Sequence, residues 1–208
     1  MPVILFIIWE KHFLLFMENY EEQALEKLVL APYIQKSTAL RGKFRYVGGN
    51  QFRHAFSTLA ILLDYHYMDA VLLKASIIHD IYEDVKCVTP EEIINIDSDG
   101  QAVHELVMEV TRQKSEAKED YLRRILEKGS QKAKILKCAD RISNLMDLHT
   151  DTFDKGYVKK YIDETRNWVF PMAEEVNQNM LYELEDLVKR RETGMRFTRP
   201  VWPLTRRE

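Results

Sequence analysis

The sequence predicts an all-α protein built as one domain, and three observations carry that expectation. Glycine and proline are scarce, 7 and 6 among 208 residues, which favours long helices over many short strands and turns. Apolar residues recur at helical spacing along most of the chain. Helix-start signals stand where that periodicity begins, at Asp69 and at Thr89-Pro90-Glu91-Glu92. With 46% apolar and 30% charged residues, a chain of this length has enough material for a single core.

Taken in order, residues 1–18 form an apolar extension. Val3 to Ile8 and Phe13 to Phe16 are strongly apolar, but Glu10, Lys11 and His12 divide them. Neither run approaches the roughly 20 residues of a spanning helix. A basic leader and a small-residue cleavage site are missing, which speaks against a signal peptide. Three readings stay open for this segment: packing on the domain or a partner, a start codon placed upstream of Met17, or membrane contact. The domain itself is expected over 19–192.

An amphipathic helix is expected from Asn19 to about Ile34, on Ala24, Leu25, Leu28, Val29 and Leu30. Ser37 to Gln51, with Gly42, Gly48 and Gly49, reads as a loop leading to a helix through Phe56, Leu59, Ala60, Leu62 and Leu63. Asp69 caps the next helix, which is expected to run on through His79, Asp80, Glu83 and Asp84. Thr89-Pro90-Glu91-Glu92 opens another, and Asp97-Ser98-Asp99-Gly100 breaks it. Helices are expected at Gln101–Thr111, Ser115–Glu127, Gln131–Leu148, Lys155–Trp168 and Pro171–Arg191. Residues 193–208, with Pro200 and Pro203, read as an irregular tail.

The net charge of −3 gives no general attraction to nucleic acid or to anionic membranes, so neither is an expected partner. Cys87 and Cys138 are too few for a disulfide framework, and a reduced, cytoplasmic setting is the simpler expectation. Cys138 falls on an apolar helical face and reads as a small core residue. The apolar N-terminal segment leaves a homo-oligomer open.

The chemistry gathers at Ala75-Ser76-Ile77-Ile78-His79-Asp80-Ile81-Tyr82-Glu83-Asp84. Four ionisable groups directly after an apolar run are costly in a core unless they are paired or bound to metal. On a helix, His79 and Glu83 lie one turn apart, as do Asp80 and Asp84. Upstream stands His54, and downstream stand Asp140 and Asn144 in Lys137-Cys138-Ala139-Asp140-Arg141-Ile142-Ser143-Asn144.

This ordered set resembles the signature of the HD-domain phosphohydrolases, a helical-bundle family. The Glu83-Asp84 pair, with Asp140-Arg141 and Asn144, is similar to the hydrolase domain of the RelA/SpoT family, whose small single-domain members cleave ppGpp. The resemblance runs from about Arg45 to about Ala173. It reaches the hydrolase part alone, so hydrolysis is implied and alarmone synthesis is not.

As metal ligands the resemblance implies His54, His79, Asp80 and Asp140. That donor set suits Mn²⁺, Fe²⁺ or Zn²⁺, and the resemblance implies Mn²⁺. Glu83 is expected to orient and deprotonate the attacking water, with Asp84 assisting or protonating the leaving oxygen. Arg45, Lys137, Arg141 and Asn144 are the expected substrate-binding residues. The implied substrate is a guanine nucleotide, ppGpp or pppGpp, losing its 3′-pyrophosphate. The chain departs from the family at Tyr46 (usually Lys), Ala55 (Pro), Ser143 (His) and Met146 (Arg), so the basic surround looks diluted. Two alternatives follow: the same chemistry on another nucleotide such as NADPH or a nucleoside phosphate, or a helical module that senses nucleotide or binds a partner without turnover. His66 and His104 read as surface or satisfied core histidines, and His149 as a neighbour of the cleft.

Overall fold

In the computed structural model the described residues are 20–46, 48–148 and 154–196. The apolar extension (residues 1–18) with residue 19, His149 and the tail beyond 196 therefore lie outside the described residues. Within them there is no strand, only one isolated antiparallel bridge between Phe44 and Asn50. The all-α expectation is met.

The first expected helix is in fact two, α1 over 20–27 and α2 over Ala31–Ser37. The break falls where Pro32, near the start of α2, lacks the N–H that would continue the preceding turns. A 3₁₀ turn, Thr38–Gly42, leads to a loop in which Gly48 and Gly49 take positive φ. Asn50 then caps α3, Gln51–Asp64, by accepting from the Arg53 N–H. Asp69 caps α4, Ala70–Ile78, by accepting from Leu72 N–H, as its sequence position suggests. Every residue of α4 from Leu72 to Ile78 is buried, the mark of a helix enclosed on all sides.

The long helix expected through the His79-Asp80 stretch does not form. Helix α4 stops at Ile78, His79 and Asp80 make a turn, and a single-turn helix, α5, covers Ile81–Asp84. The Asp80 carbonyl accepts the N–H groups of Glu83 and Asp84, which ties the turn closed. Short α6 (Glu91–Ile94) follows, and the Glu92 carboxylate accepts from Thr89 N–H, the acidic half of the expected capping box. Helices α7 (Gly100–Val110), α8 (Lys118–Lys128) and α9 (Gln131–Asp147) lie close to their expected limits.

Helix α9 is the axis of the fold. It packs against α3, α4, α7, α8, α11 and α12, and its stretch from Cys138 to Ser143 is wholly buried. Beyond it, α10 (Lys155–Glu164) runs without a break into a π-helical turn, Thr165–Val169, and then into α11, Phe170–Val176. The expected gap before Pro171 is absent, because Pro171 sits in the first turn of α11, where its missing N–H costs nothing. The real break is at Asn177, whose extended backbone and side-chain oxygen cap α12, Gln178–Arg196. That helix reaches at least Arg196, past residue 193, where the irregular tail was expected to begin.

Candidate metal centre and cleft

Three helices deliver the site. His54, on the first turn of α3, His79, at the end of α4, and Asp140, in the middle of α9, are all buried. One ligand atom from each lies within 4.8 Å of the others. His54 Nε2 is 3.0 Å from Asp140 Oδ1. Asp80, less buried, brings Oδ2 to 3.4 Å from His79 Nε2 and 3.8 Å from His54 Nε2. The four residues expected as ligands thus converge, with Asp80 at the edge of the cluster.

The far nitrogens are held by protein. His79 Nδ1 donates to the Ser76 carbonyl at 2.7 Å, so in the neutral ring Nε2 carries the lone pair. That Nε2 is buried and has no hydrogen-bond partner. His54 Nδ1 meets the Ser143 hydroxyl at 2.9 Å. Ser143, a departure from the family pattern, is therefore the residue that orients His54. An orphaned imidazole nitrogen facing two carboxylates fits a divalent cation.

The electrostatics agree. Burial works against a charged His79, yet Asp80, Asp140 and the Ser76 carbonyl outweigh it and push the pKa up to about 9. Burial also opposes ionisation of Asp140, but Lys137 and the two imidazoles hold its carboxyl well below the usual carboxylate range. The cluster favours positive charge at its centre.

Glu83 lies beside this cluster and lines a cleft of about 410 Å³. It keeps some surface towards solvent, but desolvation by the surrounding protein is the main influence raising its pKa. Asp80 and Asp140 add to that push, while the Arg112 N–H and Lys137 oppose it. Glu83 Oε1 accepts from that Arg112 N–H at 2.8 Å. Asp84 points elsewhere: it pairs with Lys43 at 3.0 Å and accepts from Gln51 Nε2 at 2.8 Å. The same Gln51 nitrogen reaches Asp80 at 3.0 Å, so Gln51 links the two carboxylates.

The expected substrate-binding residues divide between two adjoining cavities. Lys137 and Arg141 line the main cleft, Arg45 lines a side cavity of about 400 Å³, and Asn144 lines both. Asn144 donates to Asp140 Oδ1 at 2.6 Å and accepts from Arg45 at 2.8 Å, joining the centre to the side cavity. Lys137 Nζ is 2.6 Å from Asp140 Oδ2. His66 pairs with Glu21 and His104 with the Tyr82 hydroxyl, both away from the centre.

Several site residues escape sequence reasoning. Gln51 and Ser143 stand three residues from His54 and Asp140, a spacing that puts each one helical turn from a ligand. Lys118, Tyr121, Tyr157 and Tyr161 also line the cleft, and no local signal marks them. Lys118 and Arg141 flank the Tyr161 ring at 4.8 and 4.0 Å, while Lys137 and Arg124 flank Tyr121 at 5.1 and 5.6 Å. Of these cations Lys118, Lys137 and Arg141 line the cleft, each beside a tyrosine ring, while Arg124 pairs with Glu116.

The all-helical fold and the His54, His79-Asp80, Asp140 constellation define the HD-domain class of proteins. No family model matches the chain. It is 34% identical over 103 residues to a Xenopus tropicalis guanosine-3′,5′-bis(diphosphate) 3′-pyrophosphohydrolase MESH1, covering 48% of this chain and 55% of that protein. It is 30% identical over 129 residues to the Drosophila melanogaster protein of the same name, covering 59% of this chain and 70% of that one. The chain belongs to the MESH1 family. A solved structure described as a metazoan ortholog of SpoT that hydrolyzes ppGpp superposes with a TM-score of 0.67 at 24% identity, over 78% of this chain and 94% of that one, a likeness of fold. Among the described residues no helix is long and apolar enough to cross a membrane.

Proposed function

We propose that this protein hydrolyses the 3′-pyrophosphate of ppGpp or pppGpp, with Mn²⁺ as its metal. The observation that carries the reading is the buried His54–His79–Asp140 triad, with its orphaned His79 Nε2, set between the Glu83 carboxylate and a wall of cations. The names of the frog and fly relatives supply the substrate. Water adds to the phosphorus bonded to O3′, the P–O3′ bond breaks and O3′ gains a proton. The products are GDP or GTP and pyrophosphate.

His54, His79, Asp80 and Asp140 would hold the ion. A divalent cation bound there supplies Lewis acidity, making water a better nucleophile at neutral pH and polarising a phosphoryl oxygen. Glu83 takes the proton from the attacking water, and its raised pKa brings it closer to the working pH of a general base. Asp84, tied to Lys43 and Gln51, supports this from behind by holding the Gln51 amide on Asp80. Lys137 and Arg141 face the phosphates, and Asn144 and Arg45 carry recognition into the side cavity.

The test is pyrophosphate release from ppGpp by purified protein with Mn²⁺, beside an Asp80→Ala control and a panel of pppGpp, NADPH and nucleoside phosphates. Release from ppGpp that depends on metal and vanishes in the variant is the expected result. Turnover of another panel member alone overturns the substrate and keeps the chemistry. That second reading has one observation in its favour: Tyr46 lines the side cavity where the family carries a lysine.

A further inference from the structure

We infer that Glu164 and Thr165, where α10 passes into the π turn, are positioning residues that set Lys118 and Arg141 as a pair of cations for the pyrophosphoryl group of the substrate. The inference rests on the pyrophosphohydrolase reading of the cleft.

Arg141 is the starting point. It is 1% exposed, yet no carboxylate of the described residues lies within ion-pair distance of its guanidinium. Its partners are neutral. Nη1 donates to the Thr165 hydroxyl at 3.1 Å and to the Tyr161 carbonyl at 3.4 Å, the Tyr161 ring lies 4.0 Å from Cζ, and Nε has no partner. Burying a guanidinium without a counter-charge is costly, and an anion in the cleft it lines would offset that cost.

The Thr165 hydroxyl is fully buried and its geometry is fixed. It donates its own proton to the Tyr161 carbonyl at 2.7 Å, so a lone pair is left to accept from Arg141. One residue earlier, Glu164 pairs with Lys118 at 2.9 Å. Burial lowers the pKa of Lys118, and repulsion from Arg141 and Lys137 adds to this against the Glu164 pairing. Glu164 therefore holds that cation at the cleft that Lys118 lines. Tyr161 lies between the two, its ring 4.8 Å from Lys118. Three residues of one helical junction thus hold both prongs of a charge pair open to the cleft.

The backbone at this junction is irregular. Phe170 N–H bonds to the Thr165 carbonyl, a five-residue span in place of four. Such π turns are frequent at functional sites.

The experiment compares Thr165→Val with Thr165→Ser in the full, metal-loaded chain. Binding of inorganic pyrophosphate is measured by isothermal titration, and KM and kcat for ppGpp are measured beside it. Removing a hydrogen bond to a charged group should weaken pyrophosphate binding about tenfold in Thr165→Val, with KM rising more than kcat falls. Thr165→Ser, which keeps the hydroxyl, should stay within about twofold of the parent. If the valine variant fails to fold, Thr165→Ala removes the same hydroxyl without adding an atom. Unchanged pyrophosphate binding in the variant that lacks the hydroxyl overturns the inference. So does equal loss in the serine variant, which marks a packing effect, and so does a parent protein that binds no pyrophosphate. If the parent binds pyrophosphate, the hydroxyl-free variant loses it and ppGpp is not turned over, the positioning role stands and the pyrophosphohydrolase reading falls.

Discussion

Helix α4 carries one charged cluster at its middle and another at its C-terminal end, and the two are built on opposite principles. At its middle, Lys74 is 5% exposed and reaches Asp97 at 2.7 Å and Asp99 at 2.6 Å, while the Tyr33 hydroxyl donates to Asp97 at 2.8 Å. No buried atom of that cluster lacks a partner. At its end, His79 has an orphaned Nε2 facing Asp80 and Asp140. Because an unsatisfied buried polar group is expensive, a saturated cluster does architectural work and an unsaturated one marks where a ligand completes the set. Lys74 clamps α4 to α2 and to the turn before α7, whereas His79 keeps an unpartnered nitrogen where we propose the metal.

The contrast breaks most sharply at Asp80. In Asp80→Ala the protein should keep its fold but lose both bound metal and turnover, read by metal analysis and by pyrophosphate release. Retained metal would remove Asp80 from the ligand set. Next in size is Glu83→Gln, which should bind metal normally while kcat falls by about 10²–10⁴-fold, the usual worth of a general base. Unchanged turnover would end its proton-transfer role.

The architectural cluster should behave in the opposite way. Lys74→Met leaves Asp97 and Asp99 without their cation and should lower stability by about 3 kcal/mol, seen in denaturant unfolding, with metal content per folded molecule unchanged. Ser143→Ala should cost about tenfold in metal affinity, by freeing His54 to rotate, and little in stability. An unaltered affinity would mean that Asp140 alone orients the ring.

The smallest effect is a pH dependence. Lys74 and Tyr33 hold the Asp97 carboxyl below its ordinary value, against the opposing influence of burial. Its stabilisation is therefore complete above the unfolded carboxylate value of about 3.9 and is lost as pH falls through the lower folded value. The Lys74 pKa is raised by Asp97 and Asp99 against burial, so its share is present below about 10.4 and fades as pH climbs through the folded value. Thermal melts should lose stability at both limits in the parent protein, and Lys74→Met should lose less on further acidification. Equal acid sensitivity in the two would show that Asp97 is held by other groups.

By itself the sequence determined the helical class and several helix starts, and it marked the candidate ligands. Each rests on residues close along the chain, such as Asp69 bonding three residues on, or on the ordered spacing of His54, His79-Asp80 and Asp140. Breaks were harder to place where a proline could either end or begin a helix, as Pro32 and Pro171 show. The tertiary structure alone decided which polar groups find partners. It placed Ser143 behind His54, turned Asp84 towards Lys43 and Gln51, and gathered Lys118, Lys137 and Arg141 on tyrosine rings from other helices. Local periodicity records which face of a helix is buried. Whether a buried charge there is matched or left open depends on residues that meet only when α3, α4, α9 and α10 pack together, and that balance separates the Lys74 clamp from the His79 centre.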